Sequence, residues 1–250
     1  MTRSLDGKVA LVTGAGKNIG RAIALHLARD GAAVIVNGRN DRAAVDSVAA
    51  EITAAGGKAA AYMADVADPR AVGQMVEAAA GTMGGLDIVV SNAGLRRMTP
   101  LLDMGYEEWR EIMSVALDGA FLLAKATTPY MIARGGGSFV ALSGVSHHVG
   151  TPNRCHVGAS KAGLEGLMRA LAIELAPHGI RCNSVSPGAI DTVRGAAAGA
   201  RPSNITDEAI PLRRKGTVDE IAAVVRLLAG PEGGYITGQT IHVNGGVFLT

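Results

Sequence analysis

The sequence predicts a single α/β domain built on a doubly wound, seven-stranded parallel sheet with helices on both faces. Two observations predict it. Short apolar, β-branched runs alternate along the chain with longer, alanine-rich amphipathic segments, which is the pattern of repeated β-α-β units. The chain has 250 residues with 48% hydrophobic and 18% charged content, enough for one sizeable core. Residues 1–250 are therefore predicted to form one domain.

The strands are assigned to the short apolar runs. In chain order they are predicted over residues 8–13, 33–37, 58–63, 86–91, 138–143, 180–186 and 240–243. Helices are assigned to the amphipathic segments between these runs, the clearest being residues 19–29, 43–55, 69–80, 107–133, 156–175 and 218–228. Right-handed crossovers then place helices on both faces of the sheet and a ligand crevice at the carboxyl ends of the strands.

One long stretch has no regular pattern. Residues 189–214 follow the sixth strand and include a run of glycine and alanine over residues 195–200. Long loops inside a compact domain are commonly active-site lids. We therefore predict a mobile substrate lid over residues 189–214.

Charge and cysteine content exclude several classes of function. Lys and Arg total 24 against 22 Asp and Glu, with no basic run, so no nucleic-acid partner is predicted. No apolar stretch approaches the roughly 20 residues that cross a bilayer, so no membrane association is predicted. Two cysteines and an N-terminus without an apolar signal region favour a cytoplasmic protein with reduced thiols. The expected partner is a small-molecule substrate.

A glycine-rich motif follows the first predicted strand and opens the first helix. It reads Thr-Gly-Ala-Gly-Lys-Asn-Ile-Gly over residues 13–20. Glycine lets the backbone approach a pyrophosphate, and the helix N-terminus supplies free N–H groups and partial positive charge. The motif predicts a Rossmann-type dinucleotide site. Its predicted cofactor-binding residues are Gly14, Lys17, Asn18, Ile19 and Gly20.

The end of the second strand indicates which dinucleotide is preferred. Residues 36–39 read Val-Asn-Gly-Arg, without the acidic residue that bonds the adenosine ribose in NAD sites. Arg39 instead offers bidentate donors to a 2′-phosphate, and Lys17 adds a second positive charge. We therefore predict that NADP(H) is preferred over NAD(H).

Together these motifs resemble the short-chain dehydrogenase/reductase family over almost the whole chain. The glycine motif resembles the family's Thr-Gly-x-x-x-Gly-x-Gly fingerprint, with Asn18 in place of the middle glycine; Asn tolerates a left-handed backbone. Four further segments resemble family motifs in order. The cofactor contacts that they imply are Asp65 and Val66 at the adenine, Asn92, Ala93 and Gly94 in a conserved turn, Pro187 and Gly188 beneath the nicotinamide, and Ile190 and Thr192 at its carboxamide.

The reaction end departs from the family pattern. The resemblance implies hydride transfer between the nicotinamide and a carbonyl carbon, served by an Asn-Ser-Tyr-Lys tetrad. By the family's spacing the lysine is Lys161, which also contacts the cofactor, whereas the other three positions hold Val157, Gly144 and Ala116. None of these three side chains can donate a hydrogen bond. The chain is identified as an atypical member with a degenerate tetrad.

Four nearby residues are candidates to replace the missing acid. They are Ser143, His147, His148 and His156. An imidazole ordinarily titrates near pH 6.5 and can serve as acid or base near neutrality. For any single histidine, a polar loop or helix-cap role is the simpler interpretation. No metal site is predicted.

Three functions stay open on the sequence. The first is an NADP(H)-dependent oxidoreductase acting on a small carbonyl or alcohol through a non-standard acid or base, and the intact cofactor motifs favour it. The second is a non-redox lyase or hydratase on the same scaffold, and the third is a catalytically inactive NADP-binding pseudoenzyme. Arg96 and Arg97 either hold an acidic substrate or are solvated. The resemblance also implies a homotetramer or dimer.

Overall fold

A computed structural model describes residues 4–193 and 206–250 of the chain. Seven strands form one sheet in the order β3-β2-β1-β4-β5-β6-β7, and every neighbouring pair is parallel. The strands are β1 (Val9–Val12), β2 (Ala33–Gly38), β3 (Ala59–Met63), β4 (Ile88–Ser91), β5 (Gly137–Leu142), β6 (Ile180–Pro187) and β7 (Thr240–Val243). The predicted fold class is confirmed.

Helices cover both faces of this sheet. Within the described ranges they are α1 (Asn18–Arg29), α2 (Arg42–Ala54), α3 (Pro69–Met83), α4 (Tyr106–Met113), α5 (Gly119–Ala133), α6 (Ser146–Val149), α7 (Cys155–Leu175) and α8 (Val218–Ala229). Ile23 of α1 and Val225 of α8 belong to one buried apolar cluster, and Leu123 of α5 and Leu164 of α7 belong to a second. Two cores separated by a sheet are what the alternating sequence pattern requires.

The helix predicted over residues 107–133 is not continuous. A π-helical segment, Ser114–Asp118, separates α4 from α5. A π turn accommodates an extra residue without changing the apolar pattern enough for the sequence to reveal it. Gly119 follows the segment and packs against Val66, where an added Cβ would lie 3.0 Å from Val66 Cγ2. Ala116 is buried inside the segment.

The predicted lid falls only partly within the described residues, because residues 194–205 lie outside them. Ile190, near its beginning, forms a parallel bridge with Gly216, which follows its end. Across residues 4–193 and 206–250, no helix has the length and apolar character needed to cross a bilayer.

Candidate dinucleotide and reaction site

A cavity of about 720 Å³ lies along the carboxyl ends of the strands. This is the edge at which open α/β sheets bind ligands, and the volume is typical of small-molecule sites. Every cofactor-binding residue that the sequence predicts contributes to its wall. The lining includes Gly14, Lys17, Asn18, Ile19, Gly20, Arg39, Asp65, Val66, Asn92, Ala93, Gly94, Lys161, Pro187, Gly188, Ile190 and Thr192.

The loop between β1 and α1 requires its glycines and its asparagine. Gly14 has φ +61° and Asn18 has φ +50°, both in the left-handed region. The Asn18 side chain donates to the Val193 carbonyl at 2.9 Å and accepts from the Val193 N–H at 3.0 Å. The amide therefore joins the glycine loop to the chain that follows β6.

The N-terminus of α1 is open toward an anion. Lys17, the residue before the helix, makes no side-chain cap, whereas Asp41 and Asp68 cap α2 and α3 through their carboxylates. The first-turn N–H groups of a helix have no partner within the helix and carry its partial positive charge. This arrangement fits a pyrophosphate.

Hydrogen bonds between the ends of β1 and β4 hold the glycine loop in place. Asn92 Nδ2 donates to the Thr13 carbonyl at 2.9 Å and to the Gly14 carbonyl at 3.1 Å. In return, Thr13 Oγ1 accepts from the N–H groups of Asn92 at 3.0 Å and Ala93 at 3.2 Å. The side chain of Asn92 thus positions the loop.

Gly20→Ala is expected to lower the free energy of unfolding by about 1–3 kcal/mol, the range for overpacking. An added Cβ would lie 2.4 Å from the Gly14 carbonyl oxygen and 2.6 Å from Asn92 Nδ2. The control is Gly73→Ala in α3, where an added Cβ meets nothing within 4 Å and alanine should stabilise by about 0.5–1 kcal/mol. Urea denaturation measures both. Stabilisation by both substitutions would contradict the packing of this loop.

The end of the cavity at which the adenosine is predicted to lie carries opposite charges. Arg39 Nη1 lies 3.4 Å from Asp65 Oδ2, with 40% and 37% of the two side chains exposed. The other oxygen of Asp65 accepts from the Ala67 N–H at 2.9 Å. Exposed ion pairs of this kind contribute little, so a phosphate can replace the carboxylate as the partner of Arg39. Lys17 is exposed and lines the same cavity.

Lys161 lies in the cavity wall beside Val157 and Gly144, at the part of the cavity that we call the reaction end. Its Nζ donates to the Leu142 carbonyl at 2.6 Å, at the end of β5. Burial, together with repulsion from Arg96, lowers the pKa of Lys161 to about 8. Arg96 also lines the cavity, whereas Arg97 pairs with Glu111. The result is a buried ammonium that loses its proton unusually easily.

Of the three positions that the resemblance assigns to Tyr, Ser and Asn, the first two lie in the cavity wall and the third does not. Val157 and Gly144 line the cavity, and Val157 is only 2% exposed. Ala116 is absent from the lining residues, although its neighbour Val115 is among them. All four tyrosines of the chain fall within the described ranges, and none of them lines this cavity.

Of the four residues that the sequence offers as a replacement acid, the serine lies in the cavity wall and the three histidines do not. Ser143 lines the cavity, but its hydroxyl donates to Glu165 Oε1 at 2.7 Å. His147 and His148 do not line it; their Nε2 atoms lie 3.3 and 3.2 Å from the same carboxylate oxygen. His156 is fully buried, with Nε2 3.2 Å from Glu108 Oε1 in α4. Of the candidates, only Ser143 and Lys161 reach the cavity.

Glu165 is a residue that the sequence did not single out. Burial raises its pKa, but contacts with His147, Ser143 and His148 outweigh this and lower the pKa of Glu165 to about 2. The carboxylate is therefore charged. The signal in the sequence is its place one helical turn after Lys161, on the same face of α7.

The chain is similar to known proteins over nearly its whole length. The chain matches the family described as "Enoyl-(Acyl carrier protein) reductase" over residues 14–248. It is 39% identical to a 3-oxoacyl-[acyl-carrier-protein] reductase of Synechocystis over 98% of this chain and 99% of that protein. It is 38% identical to an L-rhamnose 1-dehydrogenase (NAD(P)(+)) of Sphingomonas, with 98% of each covered. A metagenomic blue fluorescent protein, solved in complex with NADPH, superposes with a TM-score of 0.91 at 33% identity, covering 98% of this chain and 100% of that one.

Proposed function

Because the chain belongs to the short-chain dehydrogenase/reductase family of oxidoreductases, we propose that it reduces a small carbonyl compound with NADPH and that Lys161 supplies the proton. One observation carries this proposal. Lys161 lines the reaction end of the cavity with a pKa of about 8, and no tyrosine is found there among the described residues.

The residues of the cavity fit a phosphorylated dinucleotide. The glycine loop and the uncapped N-terminus of α1 would hold the pyrophosphate. Arg39 and Lys17 would hold the 2′-phosphate, which favours NADP(H) over NAD(H). When bound, the reduced nicotinamide supplies a hydride to the carbonyl carbon. A similar fold is known with NADPH bound, which supports the choice.

Lys161 then completes the reduction. A general acid works best when its pKa is near the operating pH, and a lysine near 8 is far better placed than an ordinary one. As the carbonyl carbon gains the hydride, its oxygen takes a proton from Lys161 Nζ and becomes the alcohol. The neutral amine regains its proton from water. Arg96, close enough to repel the ammonium, stabilises negative charge developing on that oxygen.

The positions of the histidines weaken one alternative function, the non-redox lyase or hydratase, more than the other, the inactive NADP-binding protein. His147, His148 and His156 are absent from the cavity wall, so they are poor candidates for the replacement acid. A histidine-driven lyase or hydratase in this cavity loses its support for the same reason. The inactive NADP-binding protein is the remaining alternative, since Val157 and Gly144 donate no hydrogen bond.

The proposal is tested by turnover with product analysis. Purified protein is mixed with NADPH and a panel of small ketones, aldehydes and 3-oxo thioesters. We expect NADPH oxidation that depends on substrate and equals the alcohol formed. Tight NADPH binding without turnover on any substrate would instead identify a pseudoenzyme, and substrate loss without NADPH oxidation would identify non-redox chemistry.

Arg39→Ala is expected to raise the Kd for NADPH by about tenfold or more, because a charge-assisted hydrogen bond contributes about 1.5–3 kcal/mol. Its effect on NADH should be small, because NADH lacks the 2′-phosphate. Fluorescence titration measures both constants. Arg42→Ala is the control, since Arg42 is exposed, pairs with Asp46 and does not line the cavity. Equal losses for NADPH and NADH would exclude a phosphate role for Arg39.

A homotetramer or dimer and a cytoplasmic location stay predictions. Leu101 and Leu102, just before α4, and Tyr106, its first residue, are 73%, 98% and 71% exposed, which is the kind of apolar surface that a homotetramer or dimer would cover. A cytoplasmic location follows from the sequence arguments alone.

A further inference from the structure

Two histidines and a carboxylate converge behind the reaction end of the cavity. His147 and His148 lie in the short helix α6, and Glu165 lies on α7. The Oε1 atom of Glu165 is 3.3 Å from His147 Nε2 and 3.2 Å from His148 Nε2. One ligand atom from each residue lies within 4.8 Å of the other two. The three side chains are 9%, 18% and 5% exposed.

The side chain of His147 is 9% exposed and lies against Glu165 and the ring of His148. Among the described residues, no hydrogen-bond partner is found for either of its ring nitrogens, even though Nε2 lies 3.3 Å from Glu165 Oε1. A buried polar group normally has a hydrogen-bond partner, and one without a partner is destabilising unless an ion or water satisfies it. The Nδ1 atom of the neighbouring His242 is also without a partner, and its ring meets that of His148 at a centroid distance of 4.7 Å. These nitrogens are therefore placed to accept a bond from a ligand.

The spacing fits a small divalent cation. Ligands at about 2.0–2.2 Å from a tetrahedral ion are roughly 3.3–3.6 Å apart. The two separations from Glu165 to the histidines, 3.3 and 3.2 Å, are close to this value. Two imidazoles and a carboxylate are ligands that zinc accepts readily.

The surroundings of Glu165 suit a metal ligand. Ser143 Oγ donates to Oε1 at 2.7 Å, which fixes the carboxylate in the way that supporting residues orient metal ligands. Arg169 lies 4.0 Å from the other oxygen, Oε2, and is 60% exposed. Oε1 is therefore the atom directed at both histidines.

We propose that His147, His148 and Glu165 form a binding site for zinc or a similar divalent transition metal. The ion would clamp α6 against α7 beside Gly144 and Ser146, two residues that line the cavity. Because the histidines do not line the cavity, the ion stabilises its wall. This departs from the sequence, which predicted no metal, and it does not depend on the proposed function.

The test is calorimetric titration of zinc chloride into the full chain after treatment with a chelator. We expect one zinc ion per chain and a rise in Tm on binding. Cobalt(II) in place of zinc should give the intense visible absorption of a four-coordinate ion. His148→Gln and Glu165→Gln should each weaken binding by more than about 100-fold, since even supporting residues of metal sites contribute 10–100-fold.

His178→Gln is the matched control, because His178 is an exposed histidine far from this cluster in the sequence. It should leave the affinity, the Tm shift and the cobalt spectrum unchanged. His147→Gln is a third variant, and the more exposed His148 keeps the test available if the less exposed position of His147 does not tolerate change. Absence of one-to-one binding in the unmodified chain, or binding that survives in both His148→Gln and Glu165→Gln, overturns the proposal.

Discussion

Val157→Tyr is expected to increase the rate of carbonyl reduction by about 10²–10⁴-fold, the range that a positioned general acid contributes. Val157 lines the cavity one helical turn before Lys161. A phenol at this position would stand beside an ammonium, which lowers the pKa of the phenol and favours proton transfer. The measurement is kcat at saturating NADPH for the best substrate of the panel.

Val157→Phe is the matched control, because it adds the same ring without the hydroxyl. A gain by Phe equal to that by Tyr would attribute the effect to cavity shape. Gly144→Ser can be combined with Val157→Tyr, since the nearest atom to an added Cβ at Gly144 is 4.0 Å away. Ala116→Asn is omitted, because Ala116 is 2% exposed and an amide there would be buried. If the unmodified chain is already as fast as the tyrosine variant, Lys161 alone is a sufficient acid.

Lys161→Met is expected to reduce turnover by about 10²–10⁴-fold, because it removes the proton donor while keeping a long side chain. Lys125→Met is the control, since Lys125 is an exposed residue of α5 outside the cavity wall. Single-turnover rates measured at saturating NADPH separate this loss from weaker cofactor binding. A variant with unchanged turnover would show that another group supplies the proton.

The same substitution tests the lowered pKa of Lys161 independently of activity. In the folded, cofactor-free chain this pKa is about 8, and in the unfolded chain it returns to 10.5. Between these values the unfolded state holds a proton that the folded state lacks, so the free energy of unfolding rises with pH relative to Lys161→Met. Below pH 8 the difference should be constant. Urea denaturation from pH 7 to pH 10 measures it, and a flat difference would contradict the shift.

The parallel sheet could be predicted, and so could the gathering of the proposed cofactor residues around one cavity, because local sequence determines both. Gly14 and Gly20 follow a strand and open a helix, and only a few chain paths satisfy that pattern. The direction of the histidines could not be predicted in this way. His147 and His148 lie in a four-residue helix whose orientation depends on packing against α7, which involves residues distant in the sequence. Glu165 was missed because a glutamate in a long helix is usually a solvated residue.

The hydrogen bonds that join Thr13 to Asn92 have a thermodynamic consequence for nucleotide capture. They fix the phosphate-binding turn as part of folding, so its conformational entropy is lost before any nucleotide arrives. The entropic cost of ordering the backbone then subtracts little from the free energy of binding. The proposed dinucleotide would therefore meet a preorganised loop, and its affinity would be set by the contacts themselves.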